Sequence, residues 1–270
     1  MIDYHIHSKF SADSNEDLDA IFTRARDLGL TSIALTDHLD PYPNPERNLF
    51  VFDKEDYFKT LPAYREKYPD LDILFGAELG MIAQMVDKNR QDLASYPFDF
   101  IIGSIHSVEL QDIGSGEYFP GRNLKEAYRL YYETMLECVK IYDFFTVLGH
   151  IDYIDRYVGY TMGHPKPLDD RTFAPIIEEI LKEIIRSGRG IEFNTGGLRR
   201  SLGYGHPKPW ILEKYYDLGG RIITMGSDAH VARDIGTHTT EALKQLRDAG
   251  FKEVFGFKDG DFKKAFTIKG

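Results

Sequence analysis

Short apolar runs of strand type alternate with helix-spaced segments about seven times along the 270 residues, and that alternation restricts the fold more than any other feature. Strands are expected at 2–7, 31–35, 72–79, 98–105, 144–148, 190–193 and 221–225, with a short strand-like tail at 253–257. Helices are expected at 15–28, 53–67, 87–95, 124–142, 171–187, 210–218 and 240–249. In the first of these, Leu18, Ile21, Phe22, Ala25 and Leu28 recur at helical spacing and Gly29 suits the C-cap. Strands joined through helices pair in parallel, because a crossover returns the chain to the same end of the sheet. No linker-like stretch divides the sequence, so residues 1–270 are expected to form a single α/β domain. A closed or nearly closed (β/α) barrel of seven strands is expected, with a doubly wound open sheet as the alternative.

The ends of those strands carry the chemistry. Residues two apart on a strand share a face, so His5 and His7 aim their imidazoles at one point. Asp13 can return a carboxylate from the loop that follows. His38 follows the second strand and Glu78 lies near the end of the third. His106 follows the fourth, His150 the fifth, and Asp228 with His230 the seventh. In a parallel barrel, reactive groups gather at the C-terminal ends of the strands. Six of the nine histidines stand at such positions, a consistency that scattered surface histidines lack. Nitrogen and carboxylate donors without a thiolate match zinc, manganese or iron in catalytic sites. Nine candidate ligands exceed the four to six that one ion takes, which implies two or three divalent metal ions. Adjacent metals suit displacement at phosphorus, and Glu78 is suited to bridge two of them.

The order His5-x-His7, Asp13, Thr36-Asp37-His38, Glu78, Ser104-x-His106, Gly149-His150-x-Asp152, Asp228-x-His230 resembles the PHP (polymerase and histidinol phosphatase) superfamily. All of that superfamily's ligand positions are filled. Within it, the length, the HSKFSADS opening and the GSDAH segment look like the stand-alone histidinol-phosphatases. The resemblance implies a distorted (β/α)7 barrel, TIM-barrel-like, with a trinuclear site. By that pattern His5, His7, Glu78 and Asp228 hold the first metal, Glu78, His106 and His150 the second, and Asp13, His38 and His230 the third. It further implies hydrolysis of L-histidinol phosphate to L-histidinol and phosphate, in histidine biosynthesis, by attack of a metal-bridging hydroxide. Glu78, Asp228 and His230 are the positions expected to serve catalysis. The proton for the leaving alkoxide is left open among Asp228, a histidine and a metal-bound water.

Other residues on the same face are weaker candidates. Arg156, Arg199 and Arg200 follow the fifth and sixth strands, where an arginine fork suits phosphate oxygens. Arg156 and Arg199, with Ser104 and Asn194, are the expected substrate-binding residues, and Ser227 is a further pocket candidate. Asp37 and Asp152 adjoin ligands and are candidates to orient imidazoles. His164, His206 and His238 fall outside the ligand pattern and read as exposed loop residues. The Pro-rich loop at 41–50 is long enough to be functional, and its Tyr42 and Phe50 are candidates to cover a ligand ring.

Composition limits the alternatives. With 42% apolar residues the chain can bury a full core, and a formal net charge of -10 argues against nucleic acid as the main partner. A local cationic pocket for a small anion stays compatible with that charge. No run approaches the roughly 18 apolar residues of a membrane span. The single cysteine, Cys138, and an N-terminal strand unlike a signal peptide give the cytoplasm as the expected location. The oligomeric state is not legible. Two other functions compete: a metal phosphoesterase acting on another small phosphate ester, a nucleotide or phosphotyrosine, and a non-enzymatic metal-holding module that binds a partner.

Overall fold

The structure is a computed structural model that describes residues 1–163, 166–200 and 202–268. Seven parallel strands follow one another in chain order around the molecule: β1 (Ile2–Ile6), β2 (Ser32–Leu35), β3 (Asp72–Gly80), β4 (Phe100–Ser104), β5 (Val147–Leu148), β6 (Gly190–Asn194) and β7 (Ile223–Gly226). The last returns to the first. Ile6 bridges Ala229 in parallel, the His7 N–H donates to the Ala229 carbonyl at 2.8 Å, and the Asp228 N–H donates to the His5 carbonyl at 2.8 Å. The sheet is therefore a nearly closed barrel, as the alternation implied, and not an open doubly wound sheet.

β3 is the longest of the seven and joins two halves of the wall. Its first half pairs with β2 (Ser32↔Asp72 to Leu35↔Phe75), and its second half pairs with β4 (Gly76↔Phe100 to Gly80↔Ser104). A two-residue strand, His38–Leu39, takes the place of β2 beside the second half and sets His38 opposite Glu78. Gly76 sits at the changeover because a side chain does not fit there. A Cβ would lie 2.6 Å from the Phe100 carbonyl oxygen and 2.9 Å from that of Leu35.

Helices cover the outside: α1 (Leu18–Asp27), α2 (Lys54–Thr60), α3 (Pro62–Lys67), α4 (Val86–Ala94), α5 (Leu124–Ile141), α6 (Asp155–Thr161), α7 (Ala174–Arg186), α8 (Pro209–Asp217) and α9 (Thr239–Asp248). Each long one buries a stripe against the strands. In α7 this is Ile177, Ile180, Leu181 and Ile184, and in α5 it includes Tyr128, Tyr131, Tyr132, Met135 and Cys138. One hydrophobic cluster runs through the barrel from Ile2 to Ile268. The helix expected over 53–67 is two helices, because Pro62 supplies no backbone N–H to a continuous ladder. The tail at 253–257 is one arm of an antiparallel hairpin, β8 (Glu253–Lys258) with β9 (Asp261–Thr267), which the sequence reading cut short. Among the described residues, no helix is long and apolar enough to cross a membrane.

Candidate metal centre

Glu78 is the hub of the site. It projects from β3, is almost fully buried, and its two oxygens face different neighbours. Oε1 lies 2.6 Å from His150 Nε2, 3.1 Å from His106 Nε2 and 2.8 Å from the Ser104 hydroxyl. Oε2 lies 3.2 Å from His5 Nε2, 3.5 Å from His7 Nε2 and 3.2 Å from His38 Nδ1. Burial raises the pKa of this carboxyl, but the imidazoles of His5, His106 and His38 outweigh burial and hold it well below the usual carboxylate range.

The groups around it fall into clusters whose donor atoms lie within 4.8 Å of one another: His5-His7-Glu78, His5-His150-Asp228, Glu78-His106-His150, His7-Asp13-His38-His230 and His38-Asp40-His106. The structure thus brings all nine expected ligand residues to one end of the barrel. It also shows two features absent from the expected grouping. His7 reaches the Asp13-His38-His230 cluster, its ring stacked on His230 with centroids 4.1 Å apart, and Asp40 adds a tenth residue.

This donor set fits divalent metal ions. His5 Nε2 and His7 Nε2 face each other at 3.1 Å, and both point at Glu78. The buried Nδ1 of His38 has no hydrogen-bond partner although it faces Glu78 and Asp40. The pKa of His7 lies well below the ordinary imidazole value, first through burial and then through His230 and His38, so its ring is neutral with a lone pair to offer. Lone pairs converging in a dry space, with carboxylates beside them, are what a bound cation requires.

A further layer of residues orients the imidazoles. Glu192, on β6, accepts from His5 Nδ1 at 2.6 Å and from the His150 backbone N–H at 3.1 Å. Asp40 lies 3.1 Å from His106 Nδ1, and the Ser11 hydroxyl 3.0 Å from His7 Nδ1. A proton fixed on Nδ1 leaves Nε2 free to face the centre. The sequence reading missed Glu192 and Asp40. Glu192 alternates with two apolar neighbours on an inward-facing strand, a signal that was available; Asp40 lies in a loop with none. Asp37, expected to orient an imidazole, instead accepts from Ser8 and Ser11 and shapes the loop after β1.

Asp152 also turns away from the ligands and binds His206 Nδ1 at 2.7 Å. His206 is fully buried, which corrects the expectation of an exposed loop residue. Burial first and the Arg156 charge second keep the His206 pKa well below its ordinary value. Its Nε2 accepts from Arg156 Nε at 3.0 Å. His238 is partly exposed with a left-handed φ of 58°, and His164 lies outside the described residues.

The expected substrate-binding residues stand beside the ligands. The Arg156 side chain is buried, with Nη1 donating to Asp228 at 2.6 Å and Nη2 to Asn194 at 3.0 Å. Arg199 donates to the carbonyls of Ser227 and Asp228, both at 2.8 Å, from a single helical turn at Gly196–Arg199. Asn194 is fully buried, and its Oδ1 also accepts the Gly196 N–H. Ser104 is committed to Glu78. None of the four lines the cavity over the site. Together the two arginines pin Asp228, whose backbone is held in the left-handed region at φ 55°. Burial raises the Asp228 pKa, but Arg156 and His5 overcome it and keep the carboxylate ionised.

A cavity of about 330 Å³ opens over the centre, with Asp13, His38 and His106 on its floor and Phe50 in its wall. Phe50 meets the His38 ring edge to face at 5.4 Å, so the 41–50 loop does reach the site. Tyr42 belongs instead to a small apolar cluster with Ile82 and Met85.

The PHP domain family matches residues 3–196. A probable histidinol-phosphatase of Clostridium acetobutylicum is 32% identical over 255 residues, covering 94% of this chain and 96% of that protein. A probable histidinol-phosphatase of Thermotoga maritima is 33% identical, covering 100% and 99%. Among solved structures, histidinol phosphate phosphatase of Lactococcus lactis, complexed with zinc, L-histidinol and phosphate, superposes with a TM-score of 0.86 at 29% identity over 97% of this chain and 98% of that one.

Proposed function

Because this chain belongs to the PHP domain family, we propose that it is a metal-dependent phosphomonoesterase that hydrolyses L-histidinol phosphate to L-histidinol and phosphate. Histidinol-phosphatase relatives aligned over nearly their whole length support the substrate. The observation that carries the chemistry is the Glu78 carboxylate set among five imidazoles, one oxygen turned to each side. We assign two or three divalent metals, zinc, manganese or iron, to His5, His7, Asp13, His38, Glu78, His106, His150, Asp228 and His230, with Asp40 adjoining them. When bound, such ions neutralise phosphoryl oxygens and lower the pKa of water.

The protein's own groups position and exclude. Glu192, Asp40 and Ser11 fix ring orientations, so the ligand atoms need no rearrangement when the phosphoryl group arrives. Arg156 and Arg199 hold Asp228 in place, and Arg156 keeps its carboxylate charged, a role we assign to them ahead of direct phosphate clamping. Burial of His5, His7 and Glu78 keeps bulk water from the inner cluster. Hydrolysis forms one P–O bond to water and breaks the ester P–O bond, and the alcohol leaves with a proton. The buried, unpaired Cys138 fits the reducing cytoplasm, where we place the protein.

Alanine at His106 or Asp228 tests the assignment. Both variants are expected to lose most turnover while keeping the wild-type circular dichroism spectrum; full activity in either contradicts it.

A further inference from the structure

We propose that Asp112 selects for phosphate esters whose alcohol carries a protonated nitrogen, acting as its counter-ion with the Tyr153 and Tyr157 hydroxyls beside it. This rests on the phosphomonoesterase reading of the metal centre and names the residue that recognises the leaving group.

The cavity over the centre is lined on its far side by Asp112, Gly114, Tyr153 and Tyr157, and no lysine or arginine lines it among the described residues. A phosphomonoester is anionic at one end only. That end belongs on the histidine floor, which leaves the alcohol facing an acidic, aromatic wall. Of the three carboxylates in the cavity, two are already matched to imidazoles. Asp13 lies 3.0 Å from His230 and Asp40 3.1 Å from His106. Among the described residues, no imidazole pairs with Asp112. Its Oδ1 accepts the Ser115 N–H at 2.6 Å, and no ion pair joins it to a described lysine or arginine.

The approach is built, not incidental. Asp112 ends a short hairpin, Ser107–Val108 with Gln111–Asp112, that leaves the barrel directly after His106. The next residue, Ile113, donates its N–H to the His106 carbonyl at 2.9 Å, so the carboxylate is fixed relative to a proposed ligand. Gly114 opens the space between the polar groups. A Cβ there would lie 3.2 Å from the Tyr153 hydroxyl and 3.5 Å from both Asp112 Oδ1 and the Tyr157 hydroxyl. The three oxygens therefore lie together across the face of Gly114, with no side chain between them. The two tyrosine hydroxyls hydrogen-bond at 2.8 Å, and the Tyr153 ring lies 4.7 Å from that of His150, so the wall is continuous with the metal centre. Oxygens around a ring-sided gap suit an ammonium or imidazolium group.

The test compares esters matched except for the amine: O-phosphoethanolamine against ethyl phosphate, and L-histidinol phosphate against 3-(imidazol-4-yl)propyl phosphate, which lacks only the amino group and is otherwise the same. Manganese-loaded wild type and Asp112→Asn are assayed side by side. Asparagine keeps the shape and the acceptor for Ser115. Wild type is expected to prefer the amine esters in kcat/KM, and Asp112→Asn to lower that preference at least about tenfold, through KM, the magnitude of a charged hydrogen bond. Asp112→Glu, which keeps the charge, is expected to retain it. A preference equal in wild type and Asp112→Asn, or no preference in wild type, overturns the proposal. A structural role alone would lower both members of each pair and leave their ratio intact. Amine preference without cleavage of L-histidinol phosphate keeps Asp112 and removes the histidinol phosphate reading. Cleavage of L-histidinol phosphate with an unaltered ratio in Asp112→Asn does the reverse.

Discussion

Glu192 touches no expected substrate and still governs the centre, because its carboxylate fixes the His5 ring at 2.6 Å and caps the His150 backbone. Burial raises its pKa and the His5 charge overcomes that rise, so it sits ionised below the usual range. Glu192→Gln keeps the volume but weakens the acceptor. It is expected to lower metal affinity or turnover by about 10- to 100-fold, readable by metal titration; wild-type affinity and turnover would show that His5 needs no such support. Residues of this kind were the least legible. His5, His7, His38, His106 and His150 announced themselves because histidine at a strand end is chemically distinctive. Asp40 and His206 did not, since their partners are distant in sequence and only the closed barrel brings them together; for Glu192 the one signal is its alternation with Ile191 and Phe193. The charge of Arg156 is legible in the sequence, but its partners, Asp228, Asn194 and His206, are set only by the fold.

At the scale of elements, the loops after the fifth and sixth strands form a buried polar knot. Lys208, just before α8, lies 2.6 Å from Asp155 at the start of α6 and 2.9 Å from Asp170 ahead of α7. Tyr128 and Tyr132 from α5 bind the same two carboxylates. Burial lowers the Lys208 pKa and the carboxylates more than reverse that, so the ammonium stays charged. Lys208→Met leaves two buried carboxylates without a cation. It is expected to destabilise the fold by about 3–5 kcal/mol in urea unfolding, and a change below about 1 kcal/mol would show the knot to be dispensable. α6 itself was not foreseen. It has no side-chain cap and follows the His150 loop without a break, so the pattern read as loop. The strands were legible because each is short, apolar and bounded by turn residues. The split of β3 between two neighbours was not, since register depends on strand ends that meet only on closure.

For the whole molecule, the barrel gathers buried carboxylates and imidazoles at one end, and bound cations would stabilise the native state alone. Chelation is therefore expected to lower the unfolding temperature, and added manganese or zinc to restore it. At a free metal concentration a thousandfold above Kd the difference approaches about 4 kcal/mol. Identical midpoints with and without chelator would contradict metal binding at this site. The order of seven strands followed from the sequence alternation, and the gathering of six of the nine histidines at one end followed from strand polarity. The most direct measurement is phosphate release from L-histidinol phosphate beside a panel of other phosphomonoesters, on protein stripped of metal and reloaded with manganese or zinc. Metal-dependent release with a strong preference for L-histidinol phosphate is expected. A flat profile, or a preference for an unrelated ester, would contradict it.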